Sequence, residues 1–397
     1  MKALYLSIIV GLVCSFAVKF IQNPILLSLI GGFAIMSAGY ILSVAVEAAQ
    51  KDVSRSFATI VLALLAVLPE YAVDIYLAYK GGQDPQFIHY AAANMTGANR
   101  MLLGLFWPVV VVVAVFFSKG GDILGKSVLF KRGIRLEIAF LFLATLYSFK
   151  IPITGSIDII DSIVLISLFL FYAYVSAKSS EREEEFEGAA KVIVSLRKRF
   201  RIPIVVLLFA LAGVFIFLSV KPFVHGLLET GKMLGISEFL LIQWVAPIAS
   251  EFAELVVAIM LALKGKASVA MGALISSKVN QWSLLIGMLP LAYSLGLGGL
   301  SGMPLDYIQR EEIFLTAAQS LFGTILLLNL RLSLWEAFWL FTLFFIQFAI
   351  PVPSIRFILA WVYMAISLVL ILKEKTRLYQ LFAFIENLVC RNIRAGI

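Results

Sequence analysis

Two pairs of acidic residues lie inside long apolar stretches of this sequence. Glu70 and Asp74 are four residues apart, and Glu251 and Glu254 are three apart, so on a helix each pair shares a face. An ionised carboxylate is costly to place in hydrocarbon, and such residues usually serve a function there. Clustered carboxylate oxygens bind hard cations such as Na⁺ or Ca²⁺, or protons, rather than soft metals. The four acids therefore predict a site for a hard cation or a proton.

Neutral oxygens and two bases accompany these acids inside the apolar stretches. The neutral side chains are Asn94, Ser250, Ser276, Ser277, Asn280 and Gln281. The bases Arg100 and Lys278 offer the alternative that the acids form structural ion pairs. Buried ion pairs rarely compensate for their desolvation, so a purely structural role for all these groups is unfavoured. The sequence leaves the partner of Arg100 open among Asp74, Asp158 and Asp161.

Two prolines stand next to the acidic positions. Pro69 immediately precedes Glu70, and Pro247 precedes Glu251 by four residues. Proline removes a backbone donor and bends a helix, and in transporters such breaks supply carbonyl ligands and hinges. We expect such a break at Pro69, whereas an ordinary membrane kink explains Pro247 equally well.

The elements that carry these residues are predicted to be membrane-spanning helices. The chain has 397 residues, 61% hydrophobic and 14% charged, and its mean hydropathy is +0.99. Soluble domains are about half apolar and about a quarter charged. The apolar residues form runs of roughly 18 to 25, long enough to cross a bilayer, without the alternation of a barrel strand. The backbone must satisfy its own hydrogen bonds in lipid, so we expect an all-α polytopic membrane protein.

Net charge and cysteine content exclude several other classes. The net charge of +8 comes from basic residues in loops between apolar runs, which fits a membrane surface and excludes a nucleic-acid partner. Cys14 and Cys390 form neither a disulfide framework nor a metal motif. The motifs HExxH and GxSxG and a P-loop are missing, so no enzyme is predicted, and a channel is unfavoured because no TVGYG-type filter is present.

Twelve spans are predicted, six on each side of a hydrophilic, solvated linker. They cover roughly 4–20, 24–48, 56–80, 87–118, 133–149, 156–177, 203–230, 236–263, 268–298, 311–329, 333–350 and 355–373. Basic residues concentrate in 119–134, in 178–201 and after residue 372, three segments on the same side of the membrane. The positive-inside rule then predicts a multi-pass cell-membrane protein with both termini cytoplasmic. A cleaved signal peptide is the alternative for the first span.

The sequence around Glu70 is repeated around Glu254. With these two aligned without a gap, Lys80-Gly81 falls on Lys264-Gly265, and Ala92-Ala93-Asn94 falls on Ser276-Ser277-Lys278. Each copy contains five spans, an odd number, so the second copy is inverted, and inverted repeats place a substrate site at the bilayer midplane. The predicted organisation is an extra helix (1–22), the first repeat (23–177), a cytoplasmic linker (178–201), the second repeat (202–350), and an extra helix with a cytoplasmic tail (351–397).

These motifs resemble the sodium/calcium exchanger membrane region of the Ca²⁺/cation antiporter superfamily. That family carries a repeated motif close to GTSLPE, followed further on by GN..GSN or GN..GSD. Here LPE is intact at residues 68–70, and the second copy reads ASEFAE at residues 249–254. The resemblance covers roughly residues 24–350. It implies an inverted five-plus-five fold with alternating access, in which Glu70 and Glu254 are the central metal-binding carboxylates, assisted by Asn94 and Ser250.

Departures from the family pattern change the set of side chains predicted to bind the cation. Ala66 and Val67 replace upstream hydroxyls, Glu251 replaces a serine, and Lys278 stands where the family places an amide or carboxylate ligand. Two mechanisms stay open. In one, Glu251 and Asp74 offset the lysine and a divalent ion is exchanged for Na⁺ or H⁺. In the other, Lys278 is a titrating partner whose proton is displaced when a cation arrives, because a buried lysine changes its protonation readily.

The sequence thus predicts a secondary antiporter that moves Ca²⁺ or Na⁺ against Na⁺ or H⁺ by alternating access. Its partners are inorganic cations and the lipid bilayer, and no cofactor is expected besides the transported ions. The predicted cation-binding residues are Glu70, Asp74, Asn94, Ser250, Glu251, Glu254, Ser277 and Lys278. The alternatives are a cation/proton exchanger without calcium transport, in which Lys278 titrates, and a membrane sensor that no longer transports.

Overall fold

A computed structural model describes residues 1–53, 65, 67–118, 120–179, 186, 188–373 and 375–394, with backbone alone from 389. Parts of the predicted span 56–80 and of the linker 178–201, together with Ala66, lie outside these residues. The helices are α1 (Lys2–Ala17), α2 (Pro24–Ala49), α3 (Leu68–Gly81), α4 (Gln86–Met101), α5 (Trp107–Phe117), α6 (Arg135–Ser148), α7 (Lys150–Thr154), α8 (Ile159–Ser179), α9 (Gly188–Val194), α10 (Lys198–Leu234), α11 (Glu238–Leu263), α12 (Ala267–Asn280), α13 (Ile286–Leu297), α14 (Tyr307–Leu326), α15 (Leu334–Ala349), α16 (Pro353–Lys373) and α17 (Lys375–Arg394).

The helical elements agree with the all-α prediction. Within the described residues, eight helical segments are long and apolar enough to cross a membrane, and α1 and α15 are shorter apolar helices. Most observed helix ends lie within a few residues of the predicted span ends. The agreement arises because the thickness of the bilayer sets the length of a spanning helix, and the apolar run in the sequence has that same length.

Within the described residues, each half of the sequence contains one π-helical turn at a corresponding place. Leu102–Phe106 joins α4 to α5, and Gln281–Leu285 joins α12 to α13. A π turn widens a helix locally and is frequent at functional sites. Its recurrence provides a structural landmark for comparing the two copies.

This landmark revises part of the repeat alignment. Leu102 follows Lys80 by 22 residues, whereas Gln281 follows Lys264 by only 17, so the alignment without a gap does not extend as far as the π turns. Counting back three residues from each turn, the position equivalent to Lys278 is Asn99 and not Asn94.

Short strands and 3₁₀ turns lie between the helices. Strands β1 (Ile123–Leu124), β2 (Ser127–Leu129) and β5 (Arg331–Ser333) form an antiparallel sheet in the order β1-β2-β5, in which Val128 pairs with Leu332. Strands β3 (Ser156–Ile157) and β4 (Met303–Pro304) are equally short, and 3₁₀ turns cover Arg132–Ile134 and Leu327–Asn329. The sequence does not predict these strands, because two or three residues are too few to show an alternating pattern.

Contacts divide the chain into two compact units, each built from segments of both predicted repeats. Unit 1 contains Met1–Ala98, Ile157–Val257 and Leu284–Pro304, and unit 2 contains Asn99–Ser156, Ala258–Ser283 and Leu305–Ile397. In unit 1, α2 packs against α1 and α10, and α13 packs against α3 and α8. In unit 2, α14 packs against α6 and α16. The domain boundaries drawn from the sequence stay a prediction.

The described part of the linker is exposed at most of its residues and packs on the protein through a few of them. Helix α9 buries Ala189, Ala190 and Ile193 and contacts α2. At the start of α10, Arg201 donates from Nε and Nη2 to the two carboxylate oxygens of Asp52, both at 2.6 Å. Its Nη1 donates to the carbonyl oxygens of Val194 and Leu196 at 2.9 and 3.0 Å, in the turn after α9. One guanidinium therefore joins the turn after α9 to the residues that follow α2.

Candidate cation-binding site

Glu70 and Asp74 lie on α3 in unit 1. The helix begins at Leu68, directly after Val67, whose backbone is not helical. Pro69 is in the first turn, where its missing N–H is harmless because those N–H groups have no acceptor within the helix. Glu70 therefore lies at the positive end of the helix dipole, which favours a negative charge. Glu70 is 2% exposed and Asp74 is fully buried. The non-helical backbone of Val67, directly before the helix, agrees with the break predicted at Pro69.

The Asp74 carboxylate faces the side-chain amide of Asn94 on α4. Both residues are fully buried. Neither oxygen of Asp74 and neither polar side-chain atom of Asn94 completes a well-formed hydrogen bond with another described residue. Buried polar groups are normally satisfied, so such a pair requires an explanation, of which an ion or a water is one.

Ser250, Glu251 and Glu254 lie on α11, also in unit 1. This helix is continuous from Glu238 to Leu263 and contains Pro247. The Ser250 hydroxyl donates back to the carbonyl oxygen of Ala246 at 3.2 Å. Glu251 is 2% exposed and Ser250 6%, whereas Glu254 is partly exposed. The second copy therefore accommodates its proline within the helix, while the first begins a new helix at its proline.

Pro247 has a further consequence for the packing of α4 on α11. A proline cannot donate to the carbonyl four residues earlier, which here is Gln243. That carbonyl oxygen lies against Gly97, where an added Cβ atom would be only 1.9 Å from it. The hydroxyl of Tyr90 also donates to Glu238 Oε2 at 3.4 Å, a second link between the two helices. Glycine at 97 is thus required for the approach that brings α4, with Asn94, beside α11.

The helices that carry the two acid pairs converge on Gly39 of α2. A Cβ atom placed there would lie 3.6 Å from Pro69 Cγ on α3. It would also lie 3.3 Å from Ala253 Cβ and 3.8 Å from the Ser250 carbonyl oxygen, both on α11. The residues next to Glu70 and next to Glu254 therefore meet at one small residue.

Six of the eight predicted site residues thus belong to unit 1. They are Glu70, Asp74, Asn94, Ser250, Glu251 and Glu254. The described residues contain no group of three or more His, Cys, Asp or Glu side chains placed to hold a metal ion. Hard cations also bind neutral amide and hydroxyl oxygens, and Asn94 and Ser250 are the predicted sources of these.

Ser277 and Lys278 belong to unit 2, on α12. The Lys278 ammonium is fully buried and donates to the backbone oxygen and to the side-chain Oδ1 of Asn99 at 3.0 and 2.8 Å. It also lies 4.6 Å from the ring centroid of Trp282, a cation–π distance. Ser277 lies beside Gln281, whose Nε2 is 3.5 Å from its hydroxyl. Asn99 and Lys278, each of which precedes a π turn by three positions, therefore contact each other.

Arg100, also in unit 2, has an ion-pair partner that the sequence did not indicate. Its guanidinium pairs with Glu312 of α14, and Arg356 of α16 pairs with the other oxygen of the same carboxylate. Arg100 Nη1 also donates to Gln347 Oε1 at 3.0 Å, and Gln347 Nε2 donates to Gln319 Oε1 at 3.1 Å. This charge network (Arg100, Glu312, Arg356, Gln347 and Gln319) is buried throughout.

The sequence leaves Asp74, Asp158 and Asp161 open as partners of Arg100, and Glu312 is not among them. Glu312 and Arg356 are the second residues of the predicted spans 311–329 and 355–373, where charges are expected at the membrane surface. Their opposite signs at the starts of two apolar runs were the available signal. The reading in which Arg100 neutralises one of the three aspartates is therefore replaced by a pair with Glu312.

Known proteins resemble this chain in sequence and in fold. A family model described as sodium/calcium exchanger protein matches residues 23–178 and 204–352. A crystal structure of the H⁺/Ca²⁺ exchanger CAX is 42% identical in sequence, with 98% of this chain and 99% of that chain covered and a TM-score of 0.92. A search of curated protein sequences gives no match.

More distant structures share the fold. The structure of native YfkE is 16% identical over 87% of this chain and 98% of its own, with a TM-score of 0.61. The sodium-calcium exchanger NCX_Mj, soaked with Na⁺ and Sr²⁺, is 17% identical over 86% of this chain and 98% of its own, with a TM-score of 0.53. Together with the helical content, these matches confirm the predicted polytopic repeat fold of the exchangers.

Proposed function

This chain belongs to the sodium/calcium exchanger protein family, and on that premise we propose that it exchanges Ca²⁺ for H⁺ across the cell membrane. The choice of H⁺ over Na⁺ as the counter-ion is supported by the structure described as an H⁺/Ca²⁺ exchanger, which is 42% identical over nearly its whole length. The family consists of exchangers, so the buried acids are interpreted as ion ligands rather than as catalytic groups.

One observation carries the location of the site. The polar atoms of Asp74 and Asn94 are buried in unit 1 without completing well-formed hydrogen bonds among the described residues. In a folded protein such a cost persists where another species supplies the missing interactions. A desolvated cation is suited to an acid and an amide oxygen that face each other.

The proposed ligands divide by charge. Glu70 and Glu254, one from each repeat, are the central carboxylates, and Asp74 and Glu251 add negative charge on the same helices. Asn94 and Ser250 supply neutral oxygens, and Ser277 and Lys278 stay predicted members of the site.

The transport of Ca²⁺ is coupled to that of H⁺ because few positive groups in the membrane can compensate a buried carboxylate. A buried carboxylate requires a positive partner, because an uncompensated charge in a low dielectric is expensive. A proton and Ca²⁺ both fill that need at the same oxygens, so the binding of one displaces the other. Alternating access then presents the loaded site to each side in turn. We propose further that both termini are cytoplasmic, because the predicted spans put the basic loops and the termini on the same side and the positive-inside rule assigns that side to the cytoplasm.

The flux test uses purified protein in proteoliposomes. With an acidic interior and no Na⁺, external Ca²⁺ should enter while protons leave, and the rate should fall when the pH gradient is removed. The variant Glu254→Gln should be inactive in the same vesicles. Uptake driven only by an outward Na⁺ gradient, and insensitive to pH, would overturn the H⁺/Ca²⁺ assignment in favour of Na⁺ coupling.

A second candidate function is cation/proton exchange without calcium transport, in which Lys278 releases the coupling proton. The observation behind it is the full burial of that ammonium against the oxygens of Asn99. A buried lysine is readily deprotonated, and a cation that arrives nearby would favour its neutral form.

Replacing Lys278 with methionine keeps the length of the side chain and removes its charge. If Lys278 carries the proton, transport by the Lys278→Met variant should lose the pH dependence of the original protein. The control is Lys278→Arg, which keeps a fixed positive charge at this position. An unchanged profile in Lys278→Met assigns the proton to the carboxylates. If the folded protein moves no cation under any gradient, the interpretation as a membrane sensor is the one that remains.

A further inference from the structure

The side chain of Lys278 places an ammonium group in the interior of unit 2. The residue is fully buried, and Nζ donates to the backbone oxygen of Asn99 at 3.0 Å and to Asn99 Oδ1 at 2.8 Å. An ammonium is costly to bury in hydrocarbon, and it persists there where specific contacts replace its water. Hydrogen bonds from an ionised donor are about twice as strong as neutral ones, so the two oxygens of Asn99 supply part of this replacement.

The indole ring of Trp282 supplies a further contact. Nζ of Lys278 lies 4.6 Å from the centroid of the ring. A cation over an indole face is attracted by the electron density of the ring, and most strongly where water is excluded. Trp282 is itself fully buried, so this contact forms away from bulk water.

Hydrogen bonds to α6 fix the orientation of this ring. Trp282 Nε1 donates to Ser148 Oγ at 3.1 Å, and the Ser148 hydroxyl donates to the carbonyl oxygen of Thr145 at 2.7 Å. The hydroxyl therefore accepts one hydrogen bond and donates another, an arrangement in which each bond strengthens the other. The indole face is thus positioned by another helix and not only by the lysine that it contacts.

The two copies of the repeat contribute different parts of this arrangement. Asn99 and Lys278 occupy equivalent positions, three residues before the two π turns. At this position the first copy has an amide, whose oxygen can bind a cation, and the second copy has a cationic side chain. The contact between them therefore has the form of a cation site in which ligand and cation belong to the same chain.

We propose that Asn99 and Trp282 form a binding site for a primary ammonium group, which the chain fills with its own Lys278 side chain. Hard cations such as Na⁺ and Ca²⁺ prefer oxygen ligands, whereas an aromatic face is a feature by which proteins recognise ammonium ligands. The combination of amide and indole favours an organic ammonium over an inorganic ion. While Lys278 fills the site, no free cation can bind to the same oxygens of Asn99. The inference concerns unit 2 alone and holds whichever ions are exchanged.

The test removes the tethered ammonium and supplies a free one. Lys278→Ala deletes Cγ, Cδ, Cε and Nζ, and n-propylammonium consists of the same chain of three carbons and one nitrogen. In detergent micelles without Ca²⁺, Lys278→Ala should melt below the original protein. Propylammonium chloride should restore most of the lost Tm in a saturable manner, because a ligand that binds only the folded state stabilises it. Lys278→Ala/Trp282→Leu should bind propylammonium about tenfold more weakly.

The matched control variant is Lys221→Ala, which removes an exposed lysine from α10 and should not respond to propylammonium. Two control solutes are n-propanol, which has the same size without the charge, and sodium chloride at the same concentration. An equal rise in Tm with either solute, or in Lys221→Ala, would show a general solvent effect and overturn the proposal. Folded Lys278→Ala protein that does not respond to propylammonium would overturn it too.

A double-mutant cycle tests the contact between ring and ammonium without an added ligand, and it also decides the case in which Lys278→Ala does not fold. Lys278→Met keeps the length of the side chain, and Trp282→Leu removes the aromatic face. The fall in Tm caused by Trp282→Leu should be smaller in the Lys278→Met background, because the ammonium that the ring attracts is already gone. If the two losses simply add, ring and ammonium do not interact and the proposal is wrong.

Discussion

The two units differ in how their buried acidic residues are paired. In unit 2, Glu312 is shared by Arg100 and Arg356, and the glutamines beside them complete the network. In unit 1, Asp74 and Asn94 face each other without completed hydrogen bonds among the described residues. A carboxylate paired through both of its oxygens rigidifies its surroundings, whereas an unsatisfied pair is a place where a ligand gains affinity. The first arrangement suits a scaffold and the second a transport site.

This contrast predicts that Glu312 matters for folding more than for ion binding. Glu312→Gln removes the charge shared by two buried guanidiniums, and breaking a buried pair costs about 3–5 kcal/mol. A thermal melt in detergent should show a large fall in Tm. The control Glu229→Gln breaks an exposed pair with Lys232 and should change Tm little. Comparable melts for the two variants would contradict a stabilising role for the charge network.

Proline and glycine set how α4 and α11 approach each other. Pro247 frees the Gln243 carbonyl, Gly97 leaves room for it, and the contact brings α4 against α11. Close approach through small residues is a common way to associate helices in membranes, where apolar surface provides no hydrophobic driving force.

A methyl group at position 97 should therefore disturb the site. In Gly97→Ala the new Cβ atom would meet the Gln243 oxygen at 1.9 Å, so the helices must separate. Overpacking of this kind costs about 1–3 kcal/mol, and we expect a lower Tm together with weaker cation binding. The matched variant is Gly213→Ala on α10, where no atom lies within 4 Å of the added Cβ. Alanine there should be neutral or slightly stabilising. Equal behaviour of the two alanine variants would disprove the close-contact account.

The bond between Asp52 and Arg201 gives the described part of the linker a pH-dependent attachment. Hydrogen bonding to the Arg201 guanidinium holds the pKa of the Asp52 carboxyl below its usual value. A lowered folded pKa means that the stabilisation is present above the unfolded pKa of about 3.9 and is lost as pH falls through the folded value.

Asp52→Asn should consequently lower Tm at neutral pH and matter less in acid. The pair is near the surface, so we expect a loss of roughly 1 kcal/mol, or about 2–4 °C in Tm. Melts of the original protein and the variant at pH 7 and pH 3.5 should show the difference narrowing at the lower pH. A difference that stays constant across this range would mean that the carboxylate charge contributes nothing.

Much of the architecture was predictable because few backbone conformations can satisfy their own hydrogen bonds in lipid. Apolar runs in a bilayer must be helices, so most helices of the described residues follow the predicted spans. What the sequence could not provide depends on contacts between distant residues or on very short elements. Arg100 and Glu312 are 212 positions apart, and the strands contain two or three residues. The different spacing before the two π turns hid the contact between Asn99 and Lys278 from an alignment without gaps.

The central claim is that carboxylates from both repeats hold one cation together, and a Ca²⁺-binding titration tests it most directly. Equilibrium binding to the purified protein should give one Ca²⁺ per chain that protons displace as pH falls. Glu70→Gln and Glu254→Gln should each weaken binding at least about 30-fold, because each leaves the other carboxylate without its partner at the ion. Retention of the original affinity and stoichiometry by either folded variant would contradict the shared site.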